Sequence, residues 1–171
     1  PPKKRKDNNG TDSPVMSKKA KAEASNGDKE SYSDEDVDPN FKLEGPLLTG
    51  EVLLAGGTNW DLTGRNKTPT GVKNSGGINL WRPHRIGGFE DVKIRSVVSG
   101  PCACHSVIID DQGKAYTFGR NDKAQLGHGD TKRRDIPTGV ATLEGMNIVE
   151  AACGRNHTLF LNDKGEVYSV G

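Results

Sequence analysis

Apolar and β-branched residues recur in short runs between polar turns. Ser106 to Ile109 and Lys114 to Phe118 flank the turn Asp110-Asp111-Gln112-Gly113. Runs of this length on either side of a glycine-bearing turn predict two strands joined as a hairpin. The pattern returns 52 residues later: HSVIIDDQGKAYTFG (105–119) overlays HTLFLNDKGEVYSVG (157–171) without a gap. His105 meets His157, Gly113 meets Gly165, Tyr116 meets Tyr168 and Gly119 meets Gly171, and upstream Val97 meets Val149. A looser third copy lies 63 residues earlier, where EVLLAGGTNWDLTG sits over KAYTFGRNDKAQLG; Gly56 then meets Gly119, and Gly64 meets Gly127.

One such hairpin cannot hold itself together in water, so several must pack on a common core. A period of about 50 residues of strands and glycine turns, without helical periodicity, predicts a β-propeller rather than a helical solenoid. In the stretch FGRNDKAQLGHGDTKRR (118–134), Gly119, Gly127 and Gly129 read as backbone devices for leaving one strand and entering the next. Leu126 reads as the core anchor there, and Asp130 as the cap of the turn.

Two motifs, Cys153-Gly154-Arg155-Asn156-His157-Thr158-Leu159 and Gln125-Leu126-Gly127-His128-Gly129-Asp130, together with Gly165-Glu166-Val167-Tyr168, resemble the repeat of the regulator of chromosome condensation family. The resemblance covers about residues 51–171. It implies an all-β fold, here an incomplete, truncated seven-bladed β-propeller over 41–171 behind a disordered tail over 1–40. GGTNWDLTGR (56–65) and NLWRPHR (79–85) are similar to a mitotic branch of that family rather than to the exchange factor of the nuclear-transport GTPase. That likeness implies a regulator of mitosis and of small GTPases of the Rac, Arf and Ral classes. It also implies association with centromeres, the spindle midzone and the cell cortex; a pool in the cytoplasm and microtubule-associated complexes as partners are further expectations, and a chromatin-binding module, with the basic tail and loop on DNA phosphates, is an alternative reading. The first complete repeat departs from the motif, with Cys102 where the second has Gly154.

Composition changes the picture at the N-terminus. Residues 1–40 hold eight basic and nine acidic side chains and show no apolar periodicity. Such a segment buries too little surface to offset its conformational entropy and is expected to be disordered. Lys3, Lys4, Arg5 and Lys6 form one basic cluster and Lys18, Lys19 and Lys21 a second, eleven residues apart. A flexible chain with that gap can fill two acidic grooves of one receptor at once, so the pair resembles a bipartite nuclear import signal. Ser13 precedes Pro14 between the clusters, and Ser31 and Ser33 each have an acidic residue three positions on, which makes these three the candidate phosphorylation sites. The chain starts at Pro1 rather than Met, and a piece of a longer protein is expected. No apolar run approaches the roughly 18 residues of a spanning helix, so no integral membrane part is expected.

Covalent chemistry finds little support. A dinucleotide fingerprint needs G-x-G-x-x-G before a helix, yet Lys132 stands at the third glycine's place, and no triphosphate loop G-x-x-x-x-G-K-[ST] occurs. A zinc site from Cys102, Cys104, His105, Cys153 and His157 fails if the first three alternate along a strand, and His105 and His157 read instead as equivalent buried scaffold positions beside Ser or Thr. No nucleophile, base and orienting group converge around Ser106 or Cys104. No cofactor is expected, and exchange of bound nucleotide on a GTPase is the one activity left open. Binding surfaces are the better candidates: Trp81, Arg82, His84 and Arg85 on what reads as a loop, with Arg120, Lys132, Arg133 and Arg134 on the glycine-rich loop. The segment 68–77 reads as a flexible surface loop.

Overall fold

Nine strands form in the computed structural model, which describes residues 40–60 and 77–171. They are β1 (Leu53–Gly57), β2 (Asn79–Arg85), β3 (Ile94–Ser99), β4 (His105–Asp110), β5 (Ala115–Gly119), β6 (Arg134–Gly139), β7 (Ile148–Cys153), β8 (Thr158–Asn162) and β9 (Val167–Val170). All pairing is antiparallel, in three sheets of order β1-β2, β3-β4-β5-β6 and β7-β8-β9. Each sheet is one blade.

The continuous apolar run of β4 is explained by its place in the middle blade. Val107 and Ile109 point to the third blade and pack with Leu143, Ile148 and Phe160, while Ile108 points to the first and packs with Trp60, Ile86 and Phe118. Both faces are covered, so the alternation expected of a half-exposed strand is lost. Burial of side chains such as Ile108 or Phe160 stabilises by about 1.5–3 kcal/mol each, and it is shared between blades, so neither blade gains it alone. The equivalent of Val107 in β8 is Leu159, which stands 37% exposed on the face that no described residue covers.

The two hairpin turns are copies in atomic detail. Asp110 Oδ1 accepts the N–H groups of Gln112 and Lys114 at 3.0 and 2.8 Å; Asn162 Oδ1 accepts those of Lys164 and Glu166 at 3.1 and 2.8 Å. Short acceptor side chains at this position satisfy amides that the ladder cannot reach.

The third copy is real at the level of the backbone. Gly56, Gly119 and Gly171 stand within a residue of the ends of β1, β5 and β9 at φ of 98°, 111° and 119°, a region closed to side-chain-bearing residues without strain. β1 and β2 pair as β5 and β6 do: Leu54 faces His84 and Gly56 faces Leu80, as Thr117 faces Thr138 and Gly119 faces Arg134. Pro83 and Pro137 therefore occupy the same place on outer strands, where a missing N–H faces away from the sheet. The stretch 79–85, expected as a loop, is thus strand β2; its Pro83 is what hid it. Cys102 and Cys104, expected within a strand, lie in the turn ahead of β4.

Strand direction sorts the connections to two ends. The strands β1, β3, β5, β7 and β9 all leave the end that holds the short hairpin turns, and residues 58–60 and 77–78 with the segments 100–104, 120–133 and 154–157 lie at the opposite, loop end. Hydrogen bonds agree: Arg120 Nε donates to Trp60 O at 3.2 Å at the loop end, and Leu43 N to Asp163 O at 2.7 Å at the hairpin end.

Candidate functional site

The loop 120–133 is built around one amide side chain. Asn121, fully buried, accepts Leu126 N at Oδ1 (2.9 Å) and donates from Nδ2 to the carbonyls of Asp130 (2.8 Å) and Lys132 (2.9 Å). Asp130 Oδ1 takes Lys132 N at 2.9 Å, and its Oδ2 takes Arg134 Nη2 at 2.8 Å. The Arg134 hydrogen bond, with the Lys132 amide, holds the Asp130 carboxyl below its ordinary range. Leu126 is pinned into the interior with no exposed surface, and its carbonyl accepts the Thr117 hydroxyl at 2.8 Å. His128 Nε2 lies 2.9 Å from the same hydroxyl; burial and the neighbouring Arg134 lower its pKa, against a smaller opposing pull from Asp130.

A second threonine joins two blades. Thr158 Oγ1 donates to Gln125 O at 2.6 Å and lies 2.8 Å from His105 Nε2. A hydroxyl has one proton, already given to the carbonyl, so His105 Nε2–H is the donor and Nδ1 carries the lone pair. His105 is 2% exposed, and burial, with a smaller push from the charge of His157, brings its pKa down to about 4. His157, expected to be buried like its repeat mate, is exposed, on a side that no described residue covers.

The sequence profile of the Regulator of chromosome condensation (RCC1) repeat matches residues 112–161. Over 140 residues, 80% of the chain, it is 52% identical to the Protein RCC2 homolog of Danio rerio, and over 132 residues, 76% of the chain, 50% identical to the Protein RCC2 of Homo sapiens. The chain belongs to the regulator of chromosome condensation repeat family. It spans 28% of the length of the zebrafish relative and 25% of the human one. The crystal structure of human WBSCR16 superposes with a TM-score of 0.54 at 21% identity, covering 71% of this chain and 28% of that one. The fold is accordingly that of a β-propeller of the regulator of chromosome condensation type.

Within these regulator of chromosome condensation repeats, the residues proposed for contact separate into two groups. Arg120 and Arg134 are occupied by the scaffold: one is bound to Trp60 O, the other to Asp130 and to Lys132 O at 2.8 Å. Arg133 pairs with Asp135 at 3.3 Å, and Arg85 with Glu51 at 2.8 Å, the latter at the hairpin end. His84 Nδ1 sits 2.6 Å from Arg82 O, and both side chains are exposed. Lys132 is exposed, and Trp81 is 90% exposed.

No group of three or more His, Cys, Asp or Glu is arranged to hold a metal among the described residues. Cys153 is unsuited to nucleophilic work, since burial raises its thiol to about 11. The import clusters, Ser13, Ser31 and Ser33, Gly64, and residues 68–76 lie outside the described residues. Sequence reasoning missed Asn121, Gln125 and Thr158 as the polar frame of this repeat. An Asn two positions after a strand-ending glycine was the available signal for the first.

Proposed function

We propose that the chain belongs to a non-catalytic propeller scaffold that regulates small GTPases of the Rac, Arf and Ral classes by protein binding during mitosis. The observation that carries this reading is the identity of about half of all aligned positions with the RCC2 proteins of fish and human. The site supports it from a second side: polar groups at the loop end are engaged in fixing backbone, not in converging on a reacting atom, as binding to a preorganised loop requires.

The protein enters the nucleus through Lys3 to Lys6 and Lys18 to Lys21, binding an import receptor, and in mitosis associates with centromeres and the spindle midzone, with further pools in the cytoplasm and at the cell cortex. Phosphate on Ser13 would add negative charge between the two clusters and weaken import, and Ser31 and Ser33 would extend the acidic stretch behind them.

The test is a binding and release assay on the intact protein with nucleotide-free and GDP-loaded GTPases of the three classes. Binding without faster loss of labelled nucleotide is expected. Accelerated release would replace the scaffold by an exchange factor, and absence of binding in every class would end the reading. In cells, a fluorescent fusion lacking residues 1–21 is expected to leave the nucleus.

A further inference from the structure

A cavity of about 420 Å³ opens at the hairpin end of the middle blade, within the size range of ligand sites. Its floor is the core itself: Ala115, Val140 and Leu143 line it, and each is 4% exposed or less. Met146 and Asn147 line it too, and Glu144 stands exposed at its rim, with exposed Asp111 one position before the lining Gln112. The cation on the same rim is already engaged, since Lys114 Nζ lies 5.3 Å from the centre of the Tyr116 ring. Both faces of this blade are covered, by Trp60 and Ile86 on one side and by Ile148 and Phe160 on the other. In a radial array a further blade adds beside the first or the third, so the end of the middle one keeps its opening.

The N-terminal stretch joins the fold next to this cavity. Leu43 N donates to Asp163 O at 2.7 Å, Asp163 N donates to Asn147 O at 2.9 Å, and Asn147 Nδ2 donates to Asp163 Oδ2 at 3.3 Å. One residue, Asp163, thus separates the root of the tail from the cavity wall. In the tail, Pro14-Val15-Met16 stand just ahead of Lys18, Lys19 and Lys21, so an apolar step is followed by cations. Residues 1–21 hold seven Lys and Arg against two Asp, while the hairpin-end segments 40–52, 86–93, 111–114, 140–147 and 163–166 carry eight acidic and four basic side chains. Residues 22–42 link Lys21 to Leu43. A coil of that length spans about 25 Å and sets an effective concentration on the order of 1 mM.

We propose that residues 14–21 of this chain dock in the cavity, with Val15 and Met16 on its apolar floor and Lys18, Lys19 and Lys21 against Glu144 and Asp111, which withholds the second basic cluster from other acidic partners. The contact stands on the cavity and the tether; its consequence for import rests on the import reading above. A thioether side chain adapts to an irregular hollow, and opposite charge around an apolar anchor fixes orientation. The acidic groove of a receptor competes for the same three lysines. With an effective concentration on the order of 1 mM and an intrinsic Kd of about 0.1–1 mM, docking lowers the receptor's apparent affinity by about two- to ten-fold.

The experiment replaces Met16 by a photoreactive phenylalanine analogue in the intact protein and maps the cross-linked peptides by mass spectrometry. Cross-links to residues 139–147 of the same chain are expected, at a yield independent of dilution and several-fold lower in E144K. In parallel, a recombinant import receptor that recognises basic signals is titrated against the parent, V15S/M16S and E144K. Both variants are expected to bind it about two- to ten-fold more tightly than the parent while melting near the parent temperature. Cross-links confined to the acidic stretch 28–38, or formed between chains with a yield that rises with concentration, overturn the docking. Cross-links to 139–147 with one receptor affinity throughout overturn the withholding. Equal receptor binding with no cross-link to 139–147 sinks the docking and leaves the import reading standing; cross-links to 139–147 that E144K weakens, with no receptor bound by any variant, do the reverse.

Discussion

Acidification should weaken the contact between the middle and third blades through one ring. His105 donates from Nε2 to Thr158 Oγ1 at 2.8 Å, and its Nδ1 is buried with no hydrogen-bond partner among the described residues. A proton arriving on Nδ1 would place a charge in the interior with nothing to receive it. That is the physical reason why burial holds the folded pKa near 4 rather than the ordinary 6.5. The unfolded chain therefore binds the proton first as pH falls. Stability from this group is fully present above the unfolded value and is lost progressively between 6.5 and about 4. At about 1.4 kcal/mol for each unit of separation, the loss amounts to about 3 kcal/mol across the window.

The assay is urea unfolding of the intact protein and of its His105→Gln variant from about pH 7 to about pH 4. Glutamine keeps an N–H donor but does not titrate. His128, whose pKa is lowered in the same direction, and the carboxylates are present in both proteins and cancel in the comparison. The parent is expected to lose about 3 kcal/mol more than the variant over this interval. Parallel stability curves for the two proteins would refute the assignment of the buried neutral ring.

Three further outcomes follow from the same geometry. Thr158→Val leaves Gln125 O and His105 Nε2 buried without partners and should cost about 2–5 kcal/mol in denaturant unfolding, while Thr158→Ser restores most of it. Asn121→Ala removes the bonds to Leu126, Asp130 and Lys132 together; a loss of about 3 kcal/mol or more and rapid proteolysis within 120–133 are expected, and a protease-resistant loop would count against its organising role. Gly119→Ala puts a Cβ 2.6 Å from Cys104 O at a positive φ and should cost more than about 2 kcal/mol, whereas Gly129→Ala, with open space around it, should cost about 1 kcal/mol by thermal unfolding.

Much of the scaffold was legible because a repeat states its rules twice. The hairpins of 105–119 and 157–171 were readable to within a residue at each strand end, since turn chemistry and apolar runs coincide. β2 was not, because Pro83 and alternating cations resemble a loop until its register against β1 is known. The polar frame was harder still. Thr158 and Gln125 are 33 residues apart and meet only when two blades pack, and a buried Gln looks like a surface residue in any local pattern. Among the eight contact candidates, sequence could mark cations but not tell which were already bound: Arg134 and Lys132 are two positions apart, one fastened to Asp130 and the other exposed.

The outer strands decide how a partner can approach. β2 and β6 end their sheets among the described residues, and an open strand edge ordinarily invites another strand. Pro83 and Pro137 each remove a ladder donor in the middle of that edge, at the same register in two blades. An added strand would find its hydrogen bonds interrupted at its centre, so pairing by strand addition is disfavoured in both. Recognition is then left to side chains that stand off the edge and to loops fixed by Asn121 and Asp130. Such a surface discriminates by charge and shape rather than by backbone pairing, and it can change partner through a few loop and rim residues without altering the blade beneath.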